Sequence, residues 1–167
     1  MPIGAGGRGT GMVIRAARTD EAGFLSELAI RSKAHWGYDE AFMAACRDEL
    51  AVPASEVESM RTTVAEHDGR VLGFATLEGD PPEGALGMLF VEPDAIGRGV
   101  GRHLFEHAVG TAADLGFERL TIDADPNAEP FYLAMGATRI GATPSGSVPG
   151  RMLPLLAITV ADRRARG

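Results

Sequence analysis

The chain has 167 residues, of which 45% are apolar, so it is long enough to bury one core of ordinary domain size. Its formal net charge of −7 excludes the concentrated basic footprint with which proteins bind nucleic acid. The single cysteine, Cys46, excludes an internal disulfide framework, and no apolar run approaches the ~18 residues of a membrane-spanning helix. We therefore expect a soluble, cytoplasmic protein with neither a membrane nor a nucleic-acid partner.

The chain opens with residues 1–11, which are mostly glycine and predict a disordered leader before one domain over residues 12–162. The domain begins with a short apolar run, residues 12–17, which predicts a strand. Thr19 and Asp20 then precede apolar residues with helical spacing, so we expect them to cap the first helix. The apolar residues of this helix are Phe24, Leu25, Leu28 and Ala29.

A second helix is predicted after Asp39, running to about Leu50, with Cys46 among apolar neighbours as a core residue. Strand-like runs follow, and the first two are joined by the hairpin signal His67-Asp68-Gly69. Together they predict an antiparallel meander over residues 61–67, 70–78 and 84–91.

The pattern changes at residues 93–102, PDAIGRGVGR, which we call the glycine loop. A helix follows with Leu104, Ala108, Ala112 and Leu115 on one face, and it is closed by Gly116. The run RLTIDAD then alternates as a strand does, so strand, helix and strand form a parallel βαβ unit. A short helix from Asn127 to Met135 and strands over residues 137–143 and 152–160 complete the domain.

The glycine loop stands between a predicted strand and a predicted helix, which is a general arrangement for binding anions. Helix N-termini offer unpaired N–H groups, and glycine lets the backbone approach a phosphate closely. No P-loop is present, because no lysine follows the glycines. The dinucleotide pattern G-x-G-x-x-G occurs only at Gly4, Gly6 and Gly9, where no strand can precede it.

A second motif lies in the helix after the loop, where His103, Glu106 and His107 spell H-x-x-E-H, an inverted zinc-protease motif. Two histidines four residues apart can share a metal ion. These residues, however, lie opposite the predicted apolar face, so we interpret them as a solvated helix surface. A zinc peptidase stays the weakest of the alternatives.

Two stretches, VEPDAIGRGVGRHLFEHA and NAEPFYLAMGA, together resemble the GNAT acetyltransferase superfamily and its bacterial small-molecule-type subgroup. Gly99 and Gly101 match the small positions of the family loop [QR]-x-x-G-x-[GA], whereas Ile96 replaces its usual Gln or Arg. The second motif is matched by Asn127, Phe131, Tyr132 and Gly136. The resemblance covers residues 12–160. It implies an α/β fold with a mixed, mostly antiparallel sheet, a parallel βαβ unit, and fourth and fifth strands that splay apart.

The resemblance implies acetyl-CoA as the co-substrate and no metal. Backbone N–H groups of the glycine loop are expected to bind the pyrophosphate, with charge added by Arg98 or Arg102. The pantetheine arm is expected between the splayed strands, while Asn127 is either a helix cap or a ligand of that arm. The implied cofactor-binding residues are Leu89, Phe90, Val91, Ile96, Gly97, Arg98, Gly99, Val100, Gly101, Arg102, Asn127 and Phe131.

The implied reaction moves an acetyl group to the amine of a small molecule by direct attack in a ternary complex. By resemblance, Tyr132 gives the leaving thiolate its proton. The base stays open among His35, Glu92, Asp123, Asp125 and bulk water. The alternative function is a non-catalytic module that binds acyl-CoA for regulation.

Three residues are expected on the side of the site where the acceptor binds. Trp36 and Tyr38 are expected as walls of the acceptor pocket, and Arg151 is expected to pair with a carboxylate of an amino-acid-like acceptor. Relatives are commonly homodimers, so a second copy of this chain is also an expected partner.

Overall fold

The computed structural model describes residues 11–160, so nearly all of the predicted leader, and residues 161 and 162 of the predicted domain, lie outside the described residues. Seven strands form one sheet. They are β1 (Met12–Ala16), β2 (Thr63–His67), β3 (Arg70–Asp80), β4 (Glu83–Val91), β5 (Arg119–Asp123), β6 (Thr138–Pro144) and β7 (Met152–Thr159). The helices are α1 (Ala22–Ala34), α2 (Glu40–Cys46), α3 (Val100–Leu115) and α4 (Glu129–Ala134).

The sheet has the order β1-β2-β3-β4-β5-β7-β6, and β4 with β5 is its parallel pair. The other neighbours are antiparallel, which confirms the predicted mixed sheet with one βαβ unit. Only residues 83–85 of β4 pair with residues 119–121 of β5. Beyond them the two strands separate, as predicted, and a gap opens in the middle of the sheet.

Each face of the sheet carries its own hydrophobic core. Alternation along β3 sends Ala75 and Leu77 to the core with α3 and α4, and Phe74 to the core with α1 and α2. Cys46 belongs to the second core and is buried, as its apolar neighbours predicted. The gap between β4 and β5 is therefore flanked by helices on both sides.

Local signals predicted the turns better than the helix starts. Asp68 and Gly69 both have positive φ, 51° and 78°, and they form the predicted hairpin turn between β2 and β3. Thr19 and Asp20 do not cap α1, because they form a 3-10 turn and the helix begins only at Ala22. The second helix does begin after Asp39, whose side chain accepts the Phe42 N–H at 2.8 Å.

Three further details differ from the sequence prediction. The second helix ends at Cys46 instead of near Leu50, and looser turns continue the chain. Phe24 and Leu115, both predicted on apolar faces, are each 46% exposed. The Phe24 ring instead lies under the Arg31 guanidinium, 5.5 Å from its centroid, and Leu115 is the last residue of α3.

Gly73 of β3 lets the N-terminus of α3 pack closely on the sheet. A Cβ there would lie 2.7 Å from the Phe90 carbonyl oxygen and about 3 Å from side chains of Val100 and Leu104. Because the nearest atom is backbone, Gly73→Ala is expected to lower the free energy of unfolding by about 1–3 kcal/mol. Urea denaturation would measure this, with Gly110→Ala as control because a Cβ at Gly110 meets nothing within 4 Å. Equal stability of the two variants would contradict the expectation.

Candidate active site

A cavity of about 1060 Å³ occupies the gap between the separated strands. Residues 85–91 of β4 form one wall, and residues 121–125, from β5 and just beyond it, form the opposite wall. The glycine loop closes one end, and α1 and the segment between β6 and β7 border the other parts of the opening. The cavity therefore joins the predicted anion site to both faces of the sheet.

The glycine loop presents backbone N–H groups to this cavity. Gly97 and Gly99 have φ of 89° and 83°, a conformation that favours glycine, and α3 begins directly after them. No residue within 11–160 accepts a hydrogen bond from the N–H groups of Gly97, Gly99, Val100, Gly101 or Arg102. These unpaired donors at a helix N-terminus fit an anion such as a pyrophosphate.

The cavity brings together nearly all the residues predicted to bind the cofactor. Residues 89–91, Ile96, Gly97, residues 99–102, Asn127 and Phe131 all line it. Arg98 is exposed and does not line it. Of the two arginines considered as phosphate partners, the geometry therefore favours Arg102.

Tyr132, the predicted proton donor, lies in α4 and lines the cavity while being 6% exposed. Its ring packs edge-on against Phe131 at 5.1 Å and tilted against Phe105 at 6.2 Å between centroids. Burial, and after it the negative charge of Asp125, raises the pKa of the Tyr132 hydroxyl well above its usual range. At neutral pH the hydroxyl is therefore protonated and able to donate.

Asp125 is the centre of a polar cluster at the rim of the cavity. Its carboxylate accepts hydrogen bonds from Lys33 Nζ at 2.8 Å and from the Tyr38 hydroxyl at 2.9 Å. It also accepts from the backbone N–H of Asn127 at 2.8 Å, and Arg151 Nη2 lies 3.6 Å away. Burial opposes ionisation of Asp125, but these donors, led by Lys33, hold the pKa of the carboxyl below its ordinary value.

The same cluster contains two residues whose roles were open from the sequence, Asn127 and Arg151. Asn127 does not cap α4, because Ala128 holds the cap position; its side-chain amide donates to the Tyr38 hydroxyl at 3.0 Å. Arg151 donates to that hydroxyl at 2.8 Å, and its guanidinium lies 4.7 Å from the Phe42 ring centroid. Arg151 is thus already engaged, which argues against it as a free anchor for a substrate carboxylate.

The two residues named first as bases lie elsewhere. Glu92 is buried, does not line the cavity, and accepts from Arg31 Nη2 at 2.6 Å and Nε at 3.1 Å. His35 is exposed at the C-terminus of α1, outside the cavity lining, with its ring edge-on to Trp36 at 5.8 Å. Both placements argue against a direct role as base. Trp36 does line the cavity, as predicted for a wall.

Several polar residues of the cavity were not singled out in the sequence. Lys33 lies in the cluster around Asp125, and three carboxylates, Glu49, Glu56 and Glu78, line the side flanked by α1 and α2. The helical and strand periodicities carry no signal for them, because polar residues at those positions are also what solvent-facing surfaces contain. None of the three carboxylates forms an ion pair with a residue in the described range 11–160.

The zinc motif is solvent-exposed, as the sequence predicted. His103 and His107 lie on the exposed face of α3, and His103 Nδ1 donates to the Gly99 carbonyl oxygen at 2.7 Å. Across the described residues, no group of three or more His, Cys, Asp or Glu is arranged to hold a metal ion.

Nor does any described helix combine the length and apolarity needed to cross a bilayer.

Comparisons with solved structures identify the fold. A GCN5-related N-acetyltransferase from Rhodopseudomonas palustris, also named as a class-II aminotransferase, superposes with a TM-score of 0.74 at 26% identity, covering 88% of this chain and 94% of that one. The PaiA N-acetyltransferase of Thermoplasma acidophilum, solved with coenzyme A, superposes with a TM-score of 0.72 at 16% identity, covering 89% and 98%. The second similarity supports the fold alone.

Sequence comparison gives a partial relative and a family. An uncharacterized N-acetyltransferase ycf52-like protein of Prochlorococcus marinus is 30% identical over 83 residues, or 47% of this chain. The match spans 46% of that protein, about half its length. The model of the acetyltransferase (GNAT) family matches residues 25–137. Since that match covers more than half of the chain, the protein belongs to the acetyltransferase (GNAT) family.

Proposed function

We propose that this protein is an N-acetyltransferase that moves an acetyl group from acetyl-CoA to the amine of a small molecule. The observation that carries the proposal is the set of unpaired N–H groups of Gly97 and residues 99–102 at the end of a cavity between splayed strands. A pyrophosphate fits these donors, and an extended arm fits the exposed backbone edge of residues 89–91. Membership of the acetyltransferase (GNAT) family supports the same choice.

The acceptor is expected to enter from the side flanked by α1 and α2. That side carries the carboxylates of Glu49, Glu56 and Glu78 without cationic partners among the described residues. A cavity wall with this charge attracts a protonated amine and disfavours an anionic acceptor. The wall therefore favours a basic amine over the amino-acid-like acceptor suggested by Arg151.

In the reaction, the amine nitrogen forms a bond to the thioester carbonyl carbon, and the bond from that carbon to sulfur breaks. Tyr132 gives the departing sulfur its proton, since a tyrosine hydroxyl is protonated at neutral pH. The amine nitrogen releases one proton as the amide forms, and the Tyr132 hydroxyl regains one from solvent after the products leave.

Thermal unfolding with acetyl-CoA tests the proposal. A ligand at about 100 times its Kd adds ~2.7 kcal/mol of stability, which raises the Tm of a domain of this size by about 5 °C or more. We expect this shift with acetyl-CoA and not with NAD or ATP. Gly99→Val, strained at a φ of 83°, is expected to abolish the shift, whereas Gly110→Ala, within the helix that follows, retains it.

The alternatives give different results. A shift with acetyl-CoA but no release of thiol with any primary amine would favour a non-catalytic acyl-CoA-binding module. No shift at millimolar acetyl-CoA would mean that Ile96, in place of Gln or Arg, removes the site and would overturn the proposal.

A further inference from the structure

The fourth strand has a bulge beside the reacting end of the cavity. Thr76 pairs with Met88 and Leu77 pairs with Leu86, so Gly87 is an extra residue of β4 without a partner in β3. A Cβ added at Gly87 would overlap the Glu78 carboxylate. The glycine therefore leaves the space in which that carboxylate lies against β4, and both residues line the cavity.

Glu78 is held in this position by a short relay. The Thr76 hydroxyl accepts the Met88 N–H at 2.9 Å and donates its own proton to Glu78 Oε2 at 2.7 Å. Thr76 is 1% exposed, so the relay itself is shielded from water. For Oε1 of Glu78 no donor is found within residues 11–160. The carboxylate is thus fixed through one oxygen while the other can receive a proton.

We propose that Glu78 is the general base that takes the proton from the attacking amine, an inference that rests on the proposed function. With the pyrophosphate on the glycine loop and the arm along residues 89–91, the thioester arrives toward Met88 and Gly87. As the new bond between nitrogen and carbon forms and the bond between carbon and sulfur breaks, the nitrogen loses its extra proton to Glu78. The sulfur keeps the electron pair of the broken bond and is protonated by Tyr132.

The two acids at the β5 side of the cavity, Asp125 and Asp123, are less suited to this role. Asp125 is held by Lys33, Tyr38 and Asn127, and protonating it would disrupt those bonds. Asp123 lines the opposite wall on β5 but is exposed and has no hydrogen-bond donor among residues 11–160. Asp123 is therefore the natural comparison for Glu78.

The test is the pH dependence of acetyl transfer by Glu78→Gln, whose amide oxygen can still accept from Thr76. With primary amines found by thiol release from a panel of spermidine, benzylamine and alanine amide, we expect kcat to fall about tenfold near pH 7. The difference from wild type should shrink toward about pH 10, where the amine arrives already neutral. Substituting a residue with a purely structural role would lower the rate by the same factor at every pH.

Matched variants distinguish loss of the Glu78 carboxylate from changes in the residues around it. Glu83→Gln, on the same hairpin but outside the cavity lining, is expected to behave as wild type. Gly87→Ala displaces the Glu78 carboxylate without removing it, so we expect the same pH-dependent loss with an unchanged Kd for acetyl-CoA by calorimetry. Thr76→Val, which removes the relay, is expected to give a partial loss.

Three outcomes would overturn the inference. The first is a Glu78→Gln rate equal to wild type, or lower by a constant factor, across the pH range. The second is the pH-dependent loss appearing in Asp123→Asn instead. The third is a wild-type protein that neither binds acetyl-CoA nor transfers acetyl to any amine of the panel. That result would overturn the proposed function as well, and the wild-type protein alone would reveal it.

Discussion

Replacing Tyr132 by phenylalanine is expected to lower kcat about hundredfold while leaving the Kd for acetyl-CoA close to that of wild type. The change removes only the hydroxyl, so the ring contacts with Phe105 and Phe131 are retained. Wild type has a protonated hydroxyl at neutral pH that can donate to the thiolate, whereas the variant must release an unprotonated thiolate. An effect on kcat without an effect on binding is the result that distinguishes a proton donor from a packing residue.

Steady-state rates of thiol release and calorimetric titration with acetyl-CoA would measure the two quantities. The sequence contains one other tyrosine, Tyr38, which offers a matched control. Tyr38→Phe also removes a phenol beside the cavity, but this one bonds Asp125, Asn127 and Arg151, so we expect a lower Tm rather than a defect in thiolate protonation. A Tyr132→Phe kcat equal to wild type would remove Tyr132 from the reaction.

The strands and the place of the glycine loop before α3 could be predicted from the sequence because their signals are local. Alternation of apolar residues marks β5, and an Asp-Gly turn marks the hairpin between β2 and β3. The glycines before α3 indicate a helix N-terminus with unpaired N–H groups, and the cavity lies at that point. Each of these features depends on residues within a few positions of one another.

The polar part of the site could not be predicted in the same way. Lys33, Asp125 and Arg151 come from distant parts of the chain, in α1, just after β5 and just before β7, and only the fold brings them together. Glu78 lies at the end of a strand, where a charged residue is ordinary, and its role depends on a bulge in the neighbouring strand. For Glu92 the error was the opposite one. Its place next to the glycine loop made it a candidate base, but in the structure its carboxylate is paired with Arg31.

The cluster around Asp125 leads to the largest expected effect on stability. The side chains of Asp125, Lys33 and Arg151 are only 13%, 11% and 18% exposed, so water cannot replace a lost partner fully. Asp125→Ala would leave two cations close together without their shared anion, and we expect it to lower the free energy of unfolding by about 3–5 kcal/mol. Urea denaturation would measure this, with the exposed Asp123→Ala as a matched control that stays within about 0.5 kcal/mol of wild type.

The same cluster makes the stability of the protein decrease at acid pH. The folded-state pKa of Asp125 lies below its value in the unfolded chain, so its contribution is complete above the unfolded pKa of about 3.9 and is lost as the pH falls through the folded value. Stability measured from about pH 6 downward should therefore decline less steeply at its acid end in Asp125→Ala than in wild type, because the variant has already lost this term. Two results would contradict this expectation: parallel stability profiles of the two proteins at acid pH, or a loss of unfolding free energy below about 1 kcal/mol at neutral pH. Either would show that Tyr38 and solvent are sufficient partners for Lys33 and Arg151.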